Sequence, residues 1–239
     1  MFKIKELKFY GNLGNVKSFH SFARPNGSSG RATVMSSMKQ RILSATHELF
    51  MKYGIRSVSM DDIAKHISIS KKTIYQSYKD KDELVHELMK EKLTVDKKEF
   101  HDLEKESANV IDEVFNIMKH MGRVMGKVNP SVFYDLQKYH PETWKLFKDF
   151  KETFILNMVE NTLVRGIKQG YIRSEINVKI LARMRMEQIE MGFNPAIFPP
   201  EKFQIIDVQL SMIDHFLYGI CTLKGHKLIN KYKQITEEE

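Results

Sequence analysis

The chain has little cysteine, little proline and no long apolar run, and each shortage closes off a class of answer. One cysteine, Cys221, among 239 residues excludes an internal disulfide framework and a multi-cysteine zinc cluster, and it suits a reducing compartment. No apolar run approaches the roughly 18 residues that a membrane-spanning helix needs, so no membrane partner is expected and the expected location is the cytoplasm. None of the six prolines falls between Ser36 and Val128. Beyond Pro25, the remaining five stand as punctuation at Pro130, Pro141, Pro195, Pro199 and Pro200, between long helical periods. A hydrophobic share of 42% and a charged share of 28% exclude wholesale disorder, collagen and low-complexity scaffolds.

Acidic residues are scarce at one end. Residues 1–34 carry Lys3, Lys5, Lys8, Lys17, Arg24 and Arg31 against Glu6 alone, which is five of the net +8 charges. Residues 36–90 hold ten basic and seven acidic residues, and residues 91–239 hold 22 of each. A basic balance suits an anionic partner such as nucleic acid, but most of it sits in the first segment. That segment has no sustained hydrophobic period, and Gly11, Gly14, Pro25, Asn26, Gly27, Ser28, Ser29 and Gly30 give it loop chemistry. Four readings stand for it: a disordered basic arm that touches DNA, a targeting peptide, an expression remnant, or a mis-assigned start with the true one at Met35. The last is favoured because folding signals begin immediately after Met35.

What remains is helical patterning. No segment alternates in the manner of strands between hairpin turns, and no repeat of 20–50 residues marks a solenoid. From Met38 to Tyr53, the residues Ile42, Thr46, Leu49, Phe50 and Tyr53 make one stripe, and Gly54 follows as a C-cap. Ser59 is placed to cap a second helix, with Asp61 and Asp62 in its first turn and Ile63, Ala64 and Ile67 on its buried side. It stops near Ser68, and Ser70 caps a third helix through about Tyr78. Two short helices joined by a short turn have the spacing of a helix-turn-helix. On the third helix Ile74 and Tyr78 face inward. Lys72, Thr73, Gln76 and Ser77 face outward, and they are side chains that reach base edges and phosphates. Lys71 and Tyr75 sit at the border, suited to the phosphate backbone. Asp80 and Glu83 have capping-box spacing for a fourth helix, and Lys81 at its N-terminus makes a natural phosphate site.

The segment Ile42 to Leu88 resembles the DNA-binding domain of the TetR family of bacterial repressors. The Ile63-Ala64 pair, the Ser70 turn, the Thr73-Ile74-Tyr75 core of the third helix and the Lys79-Asp80-Lys81 run after Tyr78 carry the resemblance. By that resemblance Tyr75 and Lys81 contact phosphates. Lys71, Lys72, Thr73, Gln76 and Ser77 approach bases or backbone, Ser57 and Ser59 hold phosphate at the second helix, and Ser70 joins the same surface. Ser68 departs from the family, which usually places glycine in this turn. The competing view is a helical trio that only packs, with Lys71-Lys72 as a solvated face.

The body reads as a helical bundle. Asp80 to about Leu103 forms a long connecting helix. Val110, Val114, Ile117, Met118, Met121 and Met125 give the next one its apolar side. Asn129-Pro130 starts another with Phe133, Leu136 and Tyr139, and Pro141 opens a third with Trp144, Phe147, Phe154 and Met158. Met and aromatic richness suits either plain core or an adaptable cavity. The resemblance places a small apolar or amphipathic effector here, with Met118, Met121, Phe133, Tyr134 and Trp144 as candidates.

Two later helices carry apolar arcs too wide for one interface. In Phe203 to Cys221, Ile206, Leu210, Ile213, Leu217 and Ile220 recur at 4,3,4,3 spacing, and Phe203, Ile205, Val208, Met212 and Phe216 fill a second stripe. Asn177 to Met191 adds Val178, Ile180, Leu181, Met184 and Met191. A homodimer interface is expected at Ile180, Met184, Met191, Ile206, Leu210, Ile213 and Leu217. Two recognition helices would then stand about 34 Å apart on double-stranded DNA.

The expected fold is all-α: a helix-turn-helix DNA-binding domain at 36–82, then an effector-binding and dimerisation bundle at 83–235. The expected function is a ligand-responsive repressor that binds a palindromic operator and is released by its effector. An enzyme is the rival class. A di-metal bundle needs paired Glu-x-x-His motifs. Only Glu83-x-x-His86 has the spacing, expected on exposed early turns. Phosphate-loop, G-x-S-x-G and His-Glu-x-x-His motifs are missing. Cys221 sits in an apolar helix as core, and no catalytic residue, metal or cofactor is expected. A third class is an interaction module that keeps the fold without DNA.

Overall fold

The computed structural model describes residues 30–125, 128–129 and 131–235, with side chains from residue 38 onward. The readings of residues 1–29 lie outside that range. The described residues form eleven α-helices and one π-helical turn. They are α1 (Gly30–Tyr53), α2 (Met60–His66), α3 (Lys71–Tyr75), α4 (Lys81–Glu106), α5 (Val110–Met125), α6 (Ser131–Tyr139), α7 (Pro141–Phe150), the π turn (Lys151–Ile155), α8 (Leu156–Lys168), α9 (Val178–Gly192), α10 (Ile205–Ile220) and α11 (Leu223–Lys233).

The ends of these helices follow from their sequence. Gly54 closes α1 at φ +82°, its N–H donating to the Phe50 carbonyl at 2.9 Å. Ser59, Ser70, Asp80, Asn177 and Thr222 each accept a first-turn amide as N-caps. α1 starts at Gly30, ahead of its apolar stripe and inside the segment expected to be an arm or mis-assigned start. No proline stands between Gly30 and the stripe to stop it. α3 is shorter than expected. It ends at Tyr75, and Ser77 and Tyr78 share the Ile74 carbonyl at 2.9 Å in a closing turn.

Two cores form. The first unites Ile42, Phe50, Ile63, Ile74 and Leu84 of α1–α4 and Tyr78 of the α3–α4 turn with Val132, Leu136 and Trp144 of α6 and α7. The second unites Val110, Phe115, Leu163, Ala182, Leu217 and Ile229 of α5 and α8–α11. α7 serves the first core through Trp144, whereas α8, beyond the π turn, serves the second through Leu163. The wider turn resets which face of a continuous helix points inward. Physical packing therefore does not divide at residue 82.

Candidate functional site

α3 is short, and its only fully buried side chain is Ile74, so the rest of it is presented outward. Lys71, Lys72, Tyr75 and Gln76 are exposed, Thr73 and Ser77 are half-buried, and Tyr78 is buried beside Ile74. That is the expected division of faces. Lys71 pairs with Asp61 of α2 at 3.0 Å, which ties the two helices and leaves Lys72 as the freer cation. Ser70 is occupied by capping: its hydroxyl accepts the Thr73 amide at 3.1 Å and lies 2.8 Å from Thr73 Oγ1. Ser59 caps α2 in a reciprocal box with Asp62, and the Ser59 hydroxyl and amide hold the Asp62 carboxyl below its usual range. Ser57 is exposed, donating to the Tyr53 and Gly54 carbonyls. Ser68 has φ +56°, so the turn takes the left-handed conformation despite lacking glycine. Arg41 of α1 steadies it, donating to the Ile67 carbonyl at 3.2 Å.

Lys81 differs from expectation. Its ammonium is half-buried and donates to the Ile55 and Val58 carbonyls, each at 2.6 Å. These two acceptors close the α1–α2 connection, so Lys81 holds the turn that presents Ser57 and Ser59 instead of standing free at a phosphate. Burial lowers its pKa. The same connection is held from the body. Asp135 of α6 accepts the Arg56 amide at 2.9 Å, Tyr139 accepts from the Arg56 guanidinium at 3.0 Å, and the Asn129 amide donates to the Met51 carbonyl at 2.8 Å.

The body holds an apolar cavity of about 220 Å³ between α4, α5, α7, α8, α9 and α10. Of the five sequence candidates, Met121 alone lines it. Met118 is buried elsewhere, Tyr134 is 41% exposed, and Trp144 belongs to the first core. Phe133 packs its ring tilted against that of Phe193, a wall residue, with centroids 4.2 Å apart, without lining the space itself. The reason is non-local: α6 packs on the N-terminal unit through Val132 and Leu136, and Trp144 of α7 joins the same core. Among the wall residues outside the expected set are two cations, Arg185 and Lys151. Arg185 could have been found, since Leu181, Ala182, Met186 and Ile189 place it within the inward stripe of α9.

The expected interface residues separate. Ile180, Met184 and Met191 stand exposed on the outer face of α9. Ile206 and Leu210 are half-buried on α10. Ile213 and Leu217 line the cavity, so the C-terminal half of that stripe faces the chain's own interior and is corrected from interface to wall.

The rival chemistry finds little support. Glu83 accepts the Lys79 amide at 2.5 Å, and His86 is half-buried, 3.5 Å from Thr143 Oγ1, not on an exposed face. Asp96, Glu99 and His120 are the one group of three potential metal ligands among the described residues, their ligand atoms within 4.8 Å of one another. Asp96 is held by Lys92, and Glu99 lies 3.3 Å from His120, whose pKa is lowered by burial, so the three are engaged in contacts between α4 and α5. Burial pushes the Cys221 thiol up to about 11, which leaves no thiolate at neutral pH. Among the described residues no helix is long and apolar enough to cross a membrane.

Residues 42–88 match the model of the bacterial regulatory proteins of the tetR family. The HTH-type transcriptional regulator YvaF of Bacillus subtilis is 28% identical over 185 residues, which span 77% of this chain and 95% of its own. The fatty acid metabolism regulator protein of the same organism is 22% identical over 183 residues, 75% of this chain and 94% of its own. A crystal structure of the Bacillus subtilis regulator FadR with stearoyl-CoA superposes with a TM-score of 0.58 at 21% identity, over 76% of this chain and 98% of that one. A TetR-family regulator from Agrobacterium tumefaciens gives 0.64 at 16% identity, over 79% of this chain and all of that one.

Proposed function

Because this chain belongs to the TetR family and is a transcriptional regulator, not an enzyme, we propose that it is a repressor released from a palindromic operator by an effector with an apolar chain. The observation that carries this reading is the apolar cavity in the body, set among helices that continue into the unit bearing α3. The proposed DNA surface is Lys71, Lys72, Thr73, Gln76 and Ser77 with Tyr75, Ser57, Ser59 and Ser70 beside them. Gln76 and Lys72 are the exposed side chains able to read base edges, and Tyr75 suits a phosphate. The proposed dimer uses the exposed Ile180, Met184 and Met191 of α9 with Ile206 and Leu210 of α10. It would set two α3 helices one DNA turn apart. Residues 36–82 are the proposed reading head and 83–235 the proposed effector and dimer body.

Relatives support the choice of effector class. One is named for fatty acid metabolism, and one similar fold was solved with stearoyl-CoA. An acyl chain suits walls built from Leu93, Val114, Met121, Val159 and Ile213. Occupation favours one arrangement of the helices around the cavity, and only differential affinity for two arrangements can shift operator binding. A gel shift with the chain's own promoter DNA, titrated with acyl compounds, tests the reading. Release of DNA is expected, and a complex indifferent to every acyl compound that binds the protein would overturn it.

A further inference from the structure

The cavity has one wall group that an apolar effector leaves unexplained. Arg185 on α9 is 4% exposed, lines the cavity, and its Nη1 has no hydrogen-bond partner among the described residues. The other charged or polar wall groups are already engaged. Asp96 is paired with Lys92, Lys151 with Glu190, and Thr162 donates to Glu113 at 3.1 Å. A buried cation that lacks a counter-ion is costly to the fold, and the cost is removed when a ligand brings the anion. Burial lowers the Arg185 pKa to about 10, and no neighbouring carboxylate offsets that effect. The group therefore remains cationic at neutral pH and needs a negative partner.

We propose that Arg185 is the anion-binding residue of the effector site, and that the effector is a free aliphatic carboxylate with its acid end buried against α9. This rests on the cavity being the effector site. A guanidinium offers a carboxylate two parallel N–H donors, the geometry that this pair prefers. The remaining walls are apolar and take the chain. A thioester fits less well, because its acyl carbonyl carries no charge. A bulky coenzyme also exceeds a space of about 220 Å³, which lies below the roughly 300–1,000 Å³ of sites for drug-sized ligands.

The test uses the full chain and its Arg185→Met variant, titrated by calorimetry with dodecanoate, dodecanol and dodecanoyl-CoA below their micelle concentrations. The wild type is expected to prefer the acid to both others. R185M is expected to lose about tenfold or more in affinity for dodecanoate while keeping its affinity for dodecanol, which also shows that the variant folds. Equal affinity of both proteins for the acid would overturn the anion role. A thioester that binds more tightly than the acid and is equally weakened by R185M would overturn the free-acid assignment. Failure of all three probes to bind the wild type would instead defeat the cavity as the effector site, and this proposal with it.

Discussion

Ser68 sits where an L side chain is strained. Its φ of +56° is the conformation in which Cβ crowds the following carbonyl. Ser68→Gly is expected to keep or raise stability, by up to about 1 kcal/mol, and Ser68→Val to lower it by about 1–2 kcal/mol, both read from chemical denaturation. On α3, Gln76→Ala should relax operator specificity at one position, whereas Tyr75→Ala should weaken binding to all sequences alike. Selection from random DNA would separate the two, and the same sequence preferences in wild type and Q76A would remove Gln76 from base reading. The inward and outward faces of α3 were legible because Ile74 and Tyr78, four residues apart, fall on one side of α3 and its closing turn. The role of Lys81 was not. Its ammonium finds the Ile55 and Val58 carbonyls, 26 and 23 residues away in sequence, and no local pattern announces such a contact. Lys81→Met is therefore expected to cost about 1–3 kcal/mol of stability, through carbonyls left without a donor, and to change the salt dependence of DNA binding little.

Between elements, one buried ion pair fixes α8 on α5. Glu113 is 1% exposed, and Arg165 Nη2 reaches its two oxygens at 2.9 and 2.7 Å, with Thr162 donating at 3.1 Å. Burial still raises the Glu113 pKa against the pull of Arg165. Arg165→Ala should lower stability by about 3 kcal/mol, because it strands a buried carboxylate. Replacing both partners, Glu113→Leu with Arg165→Met, should restore most of the loss in thermal unfolding. A second joint runs from α6 to the α1–α2 connection through Asp135 and the Arg56 amide. Asp135→Ala is expected to cost about 1 kcal/mol and to blunt effector release while the effector still binds. A gel shift paired with calorimetry checks both halves. Helix ends were legible where caps are local, as at Ser59, Ser70 and Asp80, whereas the caps Asn177 and Thr222 were not singled out. Cavity membership was not. The π turn at 151–155 changes which residues of one helix face inward, α6 takes Tyr134 toward the N-terminal unit, and Trp144 of α7 joins the first core.

For the molecule as a whole, the net charge of +8 is a poor guide to the DNA surface. Five of those charges lie in residues 1–34, and the body from 91 onward is neutral. Lys71 is paired with Asp61, which leaves Lys72 as the freer cation of the proposed DNA surface. Self-association is expected to be needed for tight operator binding. Met184→Glu, on a side chain 42% exposed, should leave the monomer folded, shift sedimentation from dimer to monomer and weaken DNA binding. A wild-type chain that sediments as a monomer at micromolar concentration would defeat this. The amphipathic excess of α9 and α10 was legible, but its allotment was not, since Ile213 and Leu217 turn to the cavity while Ile180 and Met184 turn outward. The shared first core has an optical consequence. Trp144 is the sole tryptophan of the chain, it is buried at the seam between α1–α4 and α6–α7, and its ring lies 5.2 Å from that of Phe147, a cavity wall residue. Its fluorescence is therefore a label-free gauge of that seam, and the proposed release by effector is expected to change its emission without any attached dye.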